Sequence, residues 1–546
     1  MKTDYDVIVI GAGINGAGIA RDAAMRGLRV LLIDKGDVGG GTSAGSTRLI
    51  HGGLRYLEHF EFGLVRESLR ERETLLRIAP HLVRPLSITI PIYDEGKRGR
   101  ATIRAGMIAY DLLSWRKTLP RHRMQSAPET LRKMPGLKAA GLIGSAVYFD
   151  AQVEFAERLV VENVLAAIEH GATVVTHRGV RRVLGEGGRV CGVLLDGDFA
   201  DPALAEVVIN AAGPWVDQVI EQQIGAASER RVGVRERRIQ GGEEQVEDVK
   251  GQRGGGREEG RVGAERLIGG TKGSHVVVGR FQGAPEGAVY LEAVSDRRPF
   301  FVIPWNRNYL IGTTDVRFDD DPNEVRSEPW EVEYLLTETN RAFPTAGLTR
   351  ESVRYTYSGV RALPFTNDED EQSITRRHFL REHPHFGNLI SVVGGKLTTY
   401  RSLAEECVDL IFRKLDRSSP ACETARVPLP GATGDPPSNV CERWKRIYGS
   451  RANEVAEVAK QFNEDNSLAA EIVFAFEREF ATTLGDCFLR RNMIGLDADL
   501  GLGDIQTAAE IGKKFLGWTV ERAEREVEGY KQEISTRVDE RFHHGH

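Results

Sequence analysis

The sequence predicts an α/β fold in three parts: a discontinuous nucleotide-binding domain, a second domain on a mixed or antiparallel sheet, and a C-terminal α-helical domain. Three observations predict it. A strand–glycine turn–helix–strand unit opens the chain, strand-like runs with glycine-rich turns recur between about 170 and 311, and beyond about 425 the apolar spacing turns helical. The 546 residues suit two or three domains of ~100–200 residues each, and 41% hydrophobic with 28% charged residues is ordinary globular composition.

In the opening unit, Asp6-Val-Ile-Val-Ile10 is a continuous apolar run of the kind a parallel strand covered on both faces requires. Gly11-Ala-Gly13-Ile-Asn15-Gly16 follows, then a helical stretch of small residues to Met25. Leu28-Arg-Val-Leu-Leu-Ile33 is a second strand, closed by Asp34. This is a Rossmann-like βαβ unit. Its glycines allow a tight turn and close approach to a pyrophosphate at the helix N-terminus, and Asp34 is placed to accept from ribose hydroxyls.

Further on, 60–80 reads as helix through Leu64, Leu69, Leu75 and Leu76. Ala172–Thr176, Arg189–Leu195 and Glu206–Asn210 read as strands, as do Val276–Val278, Ala288–Leu291, Phe300–Ile303 and Tyr309–Ile311. Ile472, Phe476, Phe480, Leu484 and Phe488 recur every four residues, and Ile511, Phe515, Ala523 and Val527 lie on a further pair of helices. Between 226 and 266 the chain is mostly Gly, Glu, Arg, Gln and Val. So few large apolar residues read as a mobile surface insertion.

A second glycine turn selects the nucleotide. Gly394-Gly395-Lys396-Leu397-Thr398-Thr399 follows the strand Leu389–Val393 and opens a helix at Tyr400, while Asn210-Ala-Ala-Gly213-Pro-Trp215 ends another strand. Two glycine-rich helix starts nearly four hundred residues apart suit an extended dinucleotide whose far end needs its own donors. That favours FAD.

Several function classes are excluded. Lys+Arg 73 against Asp+Glu 79 leaves a net charge of −6, which argues against general nucleic-acid binding. Cys191, Cys407, Cys422, Cys441 and Cys487 form no CxxC, so no zinc or iron–sulfur site is expected, and a reducing, cytoplasmic compartment fits. The N-terminus runs directly into a strand, so no signal peptide is expected, and no apolar stretch reaches the ~18 residues of a spanning helix. Basic residues at 97–104 and 116–117 flank the apolar run Ala105–Trp115. This pattern suits either shallow insertion at an anionic membrane surface or a buried helix with basic ends.

The most specific motifs are Ser46-Thr-Arg-Leu-Ile-His51-Gly-Gly-Leu-Arg55-Tyr56, Lys272-Gly-Ser-His275, Ile311-Gly-Thr-Thr-Asp315, Tyr357-Ser-Gly-Val-Arg361 and Gly394–Arg401. With Gly11–Gly18 they resemble, in order over 4–415, the FAD-dependent glycerol-3-phosphate dehydrogenases, members of the wider D-amino-acid-oxidase-like flavoproteins. The helical tail resembles that family's C-terminal domain. The insertion at 226–266 departs from the family, whose chain is usually shorter there.

The resemblance implies an FAD domain of 1–80, 150–215 and 355–415, a substrate domain of 81–149 and 216–354, and a helical domain of 425–546. It implies FAD contacts from Gly11, Gly13, Asn15, Gly16, Asp34, Thr42, Ser43, Gly213, Gly394, Gly395, Lys396, Leu397 and Thr398. The implied substrate is sn-glycerol 3-phosphate, a small dianion. Arg361 follows a turn that can aim a planar, permanently charged fork at phosphate. Arg55, Tyr56, Arg376 and Lys396 are further substrate contacts by resemblance, with Arg361 and Lys396 also counted as catalytic.

Oxidising a secondary alcohol moves a hydride from C2 to flavin N5 while a base takes the hydroxyl proton. His51 ranks first as base and His275 second, and the sequence leaves the choice open. The family passes electrons to a quinone at the membrane, which implies a cytoplasmic protein peripheral to the inner membrane face. A homodimer stays open. The competing readings are an oxidase that reduces O₂ to peroxide, or an amine or amino-acid oxidase on the same fold.

Overall fold

The structure, a computed structural model, describes residues 3–58, 60–96, 98–115, 117–197, 202–221, 225–226, 266–366, 374–462 and 467–537. The opening unit forms as expected. β1 (Tyr5–Ile10), α1 (Ile14–Met25) and β2 (Val30–Ile33) carry almost wholly buried side chains, because helices cover one face of their sheet and Val180, Val183, Val190 and Val193 of two flanking strands cover the other. A Cβ on Gly16 would lie 1.8 Å from the carbonyl oxygen of Gly11, so only glycine lets the start of α1 sit on the end of β1. Gly18 does the same for the ring of Tyr400, which a Cβ would meet at 2.7 Å.

The first sheet has nine strands. Its parallel core runs Thr173–Val175, β2, β1, Ala203–Asn210, Phe386–Val393. Strands from the beginning, middle and later parts of the chain therefore lie side by side, and helix Tyr400–Lys414 packs back onto α1. Val180–Glu186, Arg189–Leu195 and Phe379–His383 extend this sheet with antiparallel pairings.

The second sheet has ten strands and is mixed. Val83–Tyr93 pairs antiparallel with Leu142–Val153 and parallel with Ala288–Glu292. Thr271–Val278, buried at all eight positions, lies between Val353–Arg361 and Asn308–Gly312. The expected boundaries at 150 and 355 fall inside strands of this second sheet. Leu142–Val153 pairs along its length with Val83–Tyr93, and Val353–Arg361 with Thr271–Val278, and a strand cannot be divided without breaking its ladder.

The C-terminal helices are less separate than expected. Ile472, Phe488, Ile511 and Val527 share one buried cluster with Ile88, Val277 and Tyr355 of the second sheet. The four-residue spacing from Ile472 to Phe488 is not one helix. Ser467–Arg478 stops, Phe480 takes φ +49°, and a new turn begins at Leu484 behind the Thr483 cap. The break turns Glu479 onto Arg158 and Arg451. Of the insertion 226–266, all but Ala226 and Arg266 lies outside the described residues.

Candidate active site

The two glycine turns meet. Asn15 Nδ2 donates to the carbonyl of Gly394 at 3.4 Å, joining segments 379 residues apart, and Gly394 (φ +79°) and Gly395 (φ +100°) hold a left-handed backbone that side chains resist. Asp34 Oδ2 accepts from Ala12 N–H at 2.6 Å and Oδ1 from Gly36 N–H at 2.8 Å, which fixes the carboxylate at the end of β2. Burial raises its pKa. Ser43 Oγ accepts from Ile14 N–H at 3.0 Å, and Thr42 Oγ1 donates to the carbonyl of Val360 at 2.6 Å. Gly213 opens the short turn Gly213–Trp215.

These residues line a cavity of about 2040 Å³. Gly11, Gly13, Asn15, Asp34, Thr42, Ser43, Gly213, Gly394, Gly395, Leu397 and Thr398 face it, and so do His51, Arg55, Tyr56, His275, Arg361, Arg376 and Lys396. Gly16 acts from behind, through the packing described above. The cavity exceeds the ~300–1,000 Å³ of a drug-sized pocket and suits an extended dinucleotide plus a small substrate.

The loop holding His51 is braced from beneath. His51 N–H donates to Thr398 Oγ1 at 3.2 Å, and Gly52 N–H donates to Tyr110 Oη at 3.0 Å. The Tyr110 hydroxyl donates to Asp150 at 2.7 Å, and Arg72 donates to Asp150 at 2.5 Å. Tyr110, Asp150 and Arg72 come from three separate segments, and no motif marked them. Burial is the main cause that lowers the His51 pKa to about 4, with Lys396 and Arg72 adding and Asp150 opposing. The His275 pKa is held well below its ordinary value by burial and then by the charges of Arg361 and Arg48. Both imidazoles are neutral at ordinary pH.

The cationic corner departs from expectation. Arg361 does not present an open fork: Nη1 donates to Asp315 Oδ1 (2.8 Å) and Thr271 Oγ1 (3.3 Å), and Nη2 to Thr313 Oγ1 and the carbonyl of Thr314, both at 3.3 Å. Gly273 makes room for it, since a Cβ there would lie 2.3 Å from Nη2. Arg376 also reaches Asp315, through Nη2 at 3.1 Å, and among the described residues it gives no other hydrogen bond. Burial alone would raise the Asp315 carboxyl, but Arg361 and Arg376 hold it below the usual range.

Lys396 sets its ammonium 3.8 Å from the centroid of the Tyr56 ring, and burial lowers its pKa. Burial would raise the Tyr56 phenol, yet Lys396, Arg376 and Arg55 hold it below its usual value, so these cations converge. Asp315 belonged to a quoted motif without an assigned role. Its acidic type hid it in a search for cations. Lys272 pairs with Glu331 at 2.7 Å.

Among the described residues one group, Asp37, His177 and Asp486, has metal-like spacing. Arg490 and Arg491 already neutralise both carboxylates, so it is an ion-pair network.

Fold and cavity together define a dinucleotide-binding protein whose cavity also holds a cluster of cations and His51. Residues 6–241 and 254–401 match the family described as FAD dependent oxidoreductase, and 422–523 match the C-terminal domain of alpha-glycerophosphate oxidase. A glycerol-3-phosphate dehydrogenase of Synechocystis sp. is 45% identical across 97% of this chain and 96% of its own. A D-erythritol 1-phosphate dehydrogenase of Brucella abortus is 33% identical across 89% and 93%. The solved glycerol-3-phosphate dehydrogenase of Bacillus halodurans, complexed with FAD, superposes with a TM-score of 0.73 at 25% identity, covering 98% of this chain and 95% of its own. The chain belongs to the FAD-dependent oxidoreductase family, in the branch of the glycerol-3-phosphate dehydrogenases.

The lining fits FAD. Asn15 Oδ1, Trp215 Nε1, His275 Nδ1 and Lys396 Nζ are buried without a hydrogen-bond partner among the described residues, and all four residues face the cavity. Each such atom costs about 1–3 kcal/mol unless a ligand meets it.

Proposed function

We propose that the protein oxidises sn-glycerol 3-phosphate to dihydroxyacetone phosphate and passes the electrons to a quinone. Bound FAD supplies the two-electron acceptor. The glycine turns and Asp34 hold it, and His51, neutral and braced by Thr398 and Tyr110, takes the hydroxyl proton of the substrate. Arg376, Lys396, Arg55 and Tyr56 receive the phosphate. The observation that carries this reading is the shared cavity: the cation cluster and His51 line the same space as the dinucleotide turns.

The acceptor side rests on helix Arg100–Leu113. Ile108 and Leu112 are exposed at i and i+4 of this helix and Trp115 is exposed just past its end, with Arg100 and Arg104 exposed on the helix and Phe60 and Phe62 exposed at the start of the adjoining helix. Such a stripe suits shallow insertion into an anionic surface, as for a protein peripheral to the inner face of the cytoplasmic membrane. Among the described residues no helix is long and apolar enough to cross a membrane.

The test is the flavin absorbance of the purified protein before and after anaerobic sn-glycerol 3-phosphate. Bleaching is expected. Bleaching by amino acids but not by phosphorylated alcohols would overturn the reading, and stronger bleaching by D-erythritol 1-phosphate would reassign the substrate within the same class.

A further inference from the structure

Asp315 lies where a phosphate-binding pocket should least want a carboxylate. It faces the cavity, and its two oxygens are divided between Arg361 Nη1 at 2.8 Å and Arg376 Nη2 at 3.1 Å. Its backbone carbonyl accepts from Arg298, which pins the residue from its other side. The arginines are not equivalent. Arg361 has four N–H groups committed to Asp315, Thr271, Thr313 and Thr314, whereas Arg376 gives only Nη2 among the described residues. Thr375, next in the chain, donates to Glu61 at 2.7 Å, so the backbone carrying Arg376 is tied down beside its anchored guanidinium.

We infer that Asp315 is a positioning residue: it commits Arg361 to the protein as an anchor and aims the remaining N–H edge of Arg376 at the substrate phosphate. The inference rests on the phosphorylated-alcohol reading given above and deepens it. A carboxylate here costs anion affinity by repulsion, so its gain is placement. A guanidinium tethered at one nitrogen, on a backbone held beside Thr375, samples fewer orientations than a free one. A misplacement of about 1 Å at a reacting centre can cost ~100-fold in rate. The phosphate is thereby gripped where the C2 hydroxyl meets His51, rather than merely attracted.

Charge and placement can be separated on the flavin-loaded protein. Asp315→Asn removes the charge and one of the two acceptor oxygens, so that it can hold one arginine but not both; Asp315→Glu keeps the charge but moves the anchor by one methylene. In Asp315→Asn, inorganic phosphate should inhibit at equal or up to about tenfold lower concentration, while kcat/KM for sn-glycerol 3-phosphate falls roughly ten- to a hundredfold. In Asp315→Glu, kcat/KM should fall similarly without tighter phosphate inhibition. In an Arg376→Ala background, Asp315→Asn should cost no more than about twofold further, because the pair acts as one unit.

Losses that multiply in the double variant overturn the inference. So does a kcat/KM that rises with phosphate affinity, which means that Asp315 only repels. Phosphate affinity and kcat/KM falling together with flavin loss mark a merely structural residue and also overturn it. If the wild type oxidises another phosphorylated alcohol instead, the substrate assignment fails, and the same comparison on that alcohol decides the role of Asp315.

Discussion

His275 stacks on Tyr357 with ring centroids 4.7 Å apart and 21° between planes, and its Nε2 lies 2.9 Å from Thr47 Oγ1. One nitrogen and one face of this imidazole are therefore taken. His51 faces the same cavity with no hydrogen-bond partner on its ring among the described residues but a well-held backbone. This difference favours His51 as the base. His51→Ala should lower the rate of anaerobic flavin reduction by ~10²–10⁴-fold in a stopped-flow experiment, with sn-glycerol 3-phosphate still able to protect the site. Equal loss of flavin binding would instead mark His51 as structural.

Stability should fall on the acid side. The His51 pKa is lowered from 6.5 to about 4 by burial, and His275 is displaced the same way. Between those values the unfolded chain binds more protons than the folded one. The contribution is complete above pH 6.5 and is lost as the pH falls towards about 4. Urea unfolding at about pH 7 and about pH 5 should show a lower midpoint at the acid value. His51→Gln should narrow the gap, and an unchanged gap would assign the loss to other groups.

The two helix-start glycines should fail differently. A Cβ on Gly16 meets the backbone oxygen of Gly11 at 1.8 Å, whereas one on Gly13 meets nothing closer than Ser43 Oγ at 3.6 Å, at an ordinary φ of −68°. Gly16→Ala should lower the unfolding temperature of the flavin-free protein by an overpacking cost of about 1–3 kcal/mol or more. Gly13→Val should spare that temperature and remove FAD binding, because its side chain takes the space of the pyrophosphate. Fluorescence of released flavin separates the two outcomes.

Leu112 is 63% exposed on one side of helix Arg100–Leu113, whose other side buries Met107 and Tyr110, and Trp115, just past the helix end, is 73% exposed. Replacing both Leu112 and Trp115 by Ser should leave dye-linked turnover intact. Pelleting with anionic phospholipid vesicles should weaken by roughly tenfold or more, given ~1.5–3 kcal/mol per large apolar side chain buried. Unaltered pelleting would place membrane contact elsewhere.

Residues 242–253 fall in the gap between the two matched stretches of the family, inside the compositionally poor segment 226–266. Replacing 242–253 by a short Gly-Ser link should keep the flavin spectrum and turnover, since halving a loop changes its closure cost by only ~0.6 kcal/mol. A large loss of either would show that the segment orders against the site.

Buried ion pairs join the parts of the fold. Asp37 accepts from Arg490 at 2.6 Å and from Arg491 at 2.8 Å, and all three side chains are buried. The C-terminal helices thus reach the loop just after Asp34. Nothing in the spacing of Arg490 or Arg491 announced this, because the pairing spans more than 450 residues.

The sequence by itself determined what is local: β1, α1 and β2, the glycines that their contact demands, Asp34 at a strand end, and the second turn at Gly394–Gly395. These follow from backbone sterics and apolar periodicity, which act over a few residues. The matched motifs likewise brought His51, Arg361 and Lys396 into view. Only the tertiary structure decided which of these groups are available. Hydrogen bonds donated to Thr271, Thr313, Thr314 and Asp315 occupy Arg361, stacking on Tyr357 takes one face of His275, and Tyr110 with Asp150 braces the His51 loop. A side chain's chemistry is written in its type, but its free donors depend on neighbours that the chain delivers from far away.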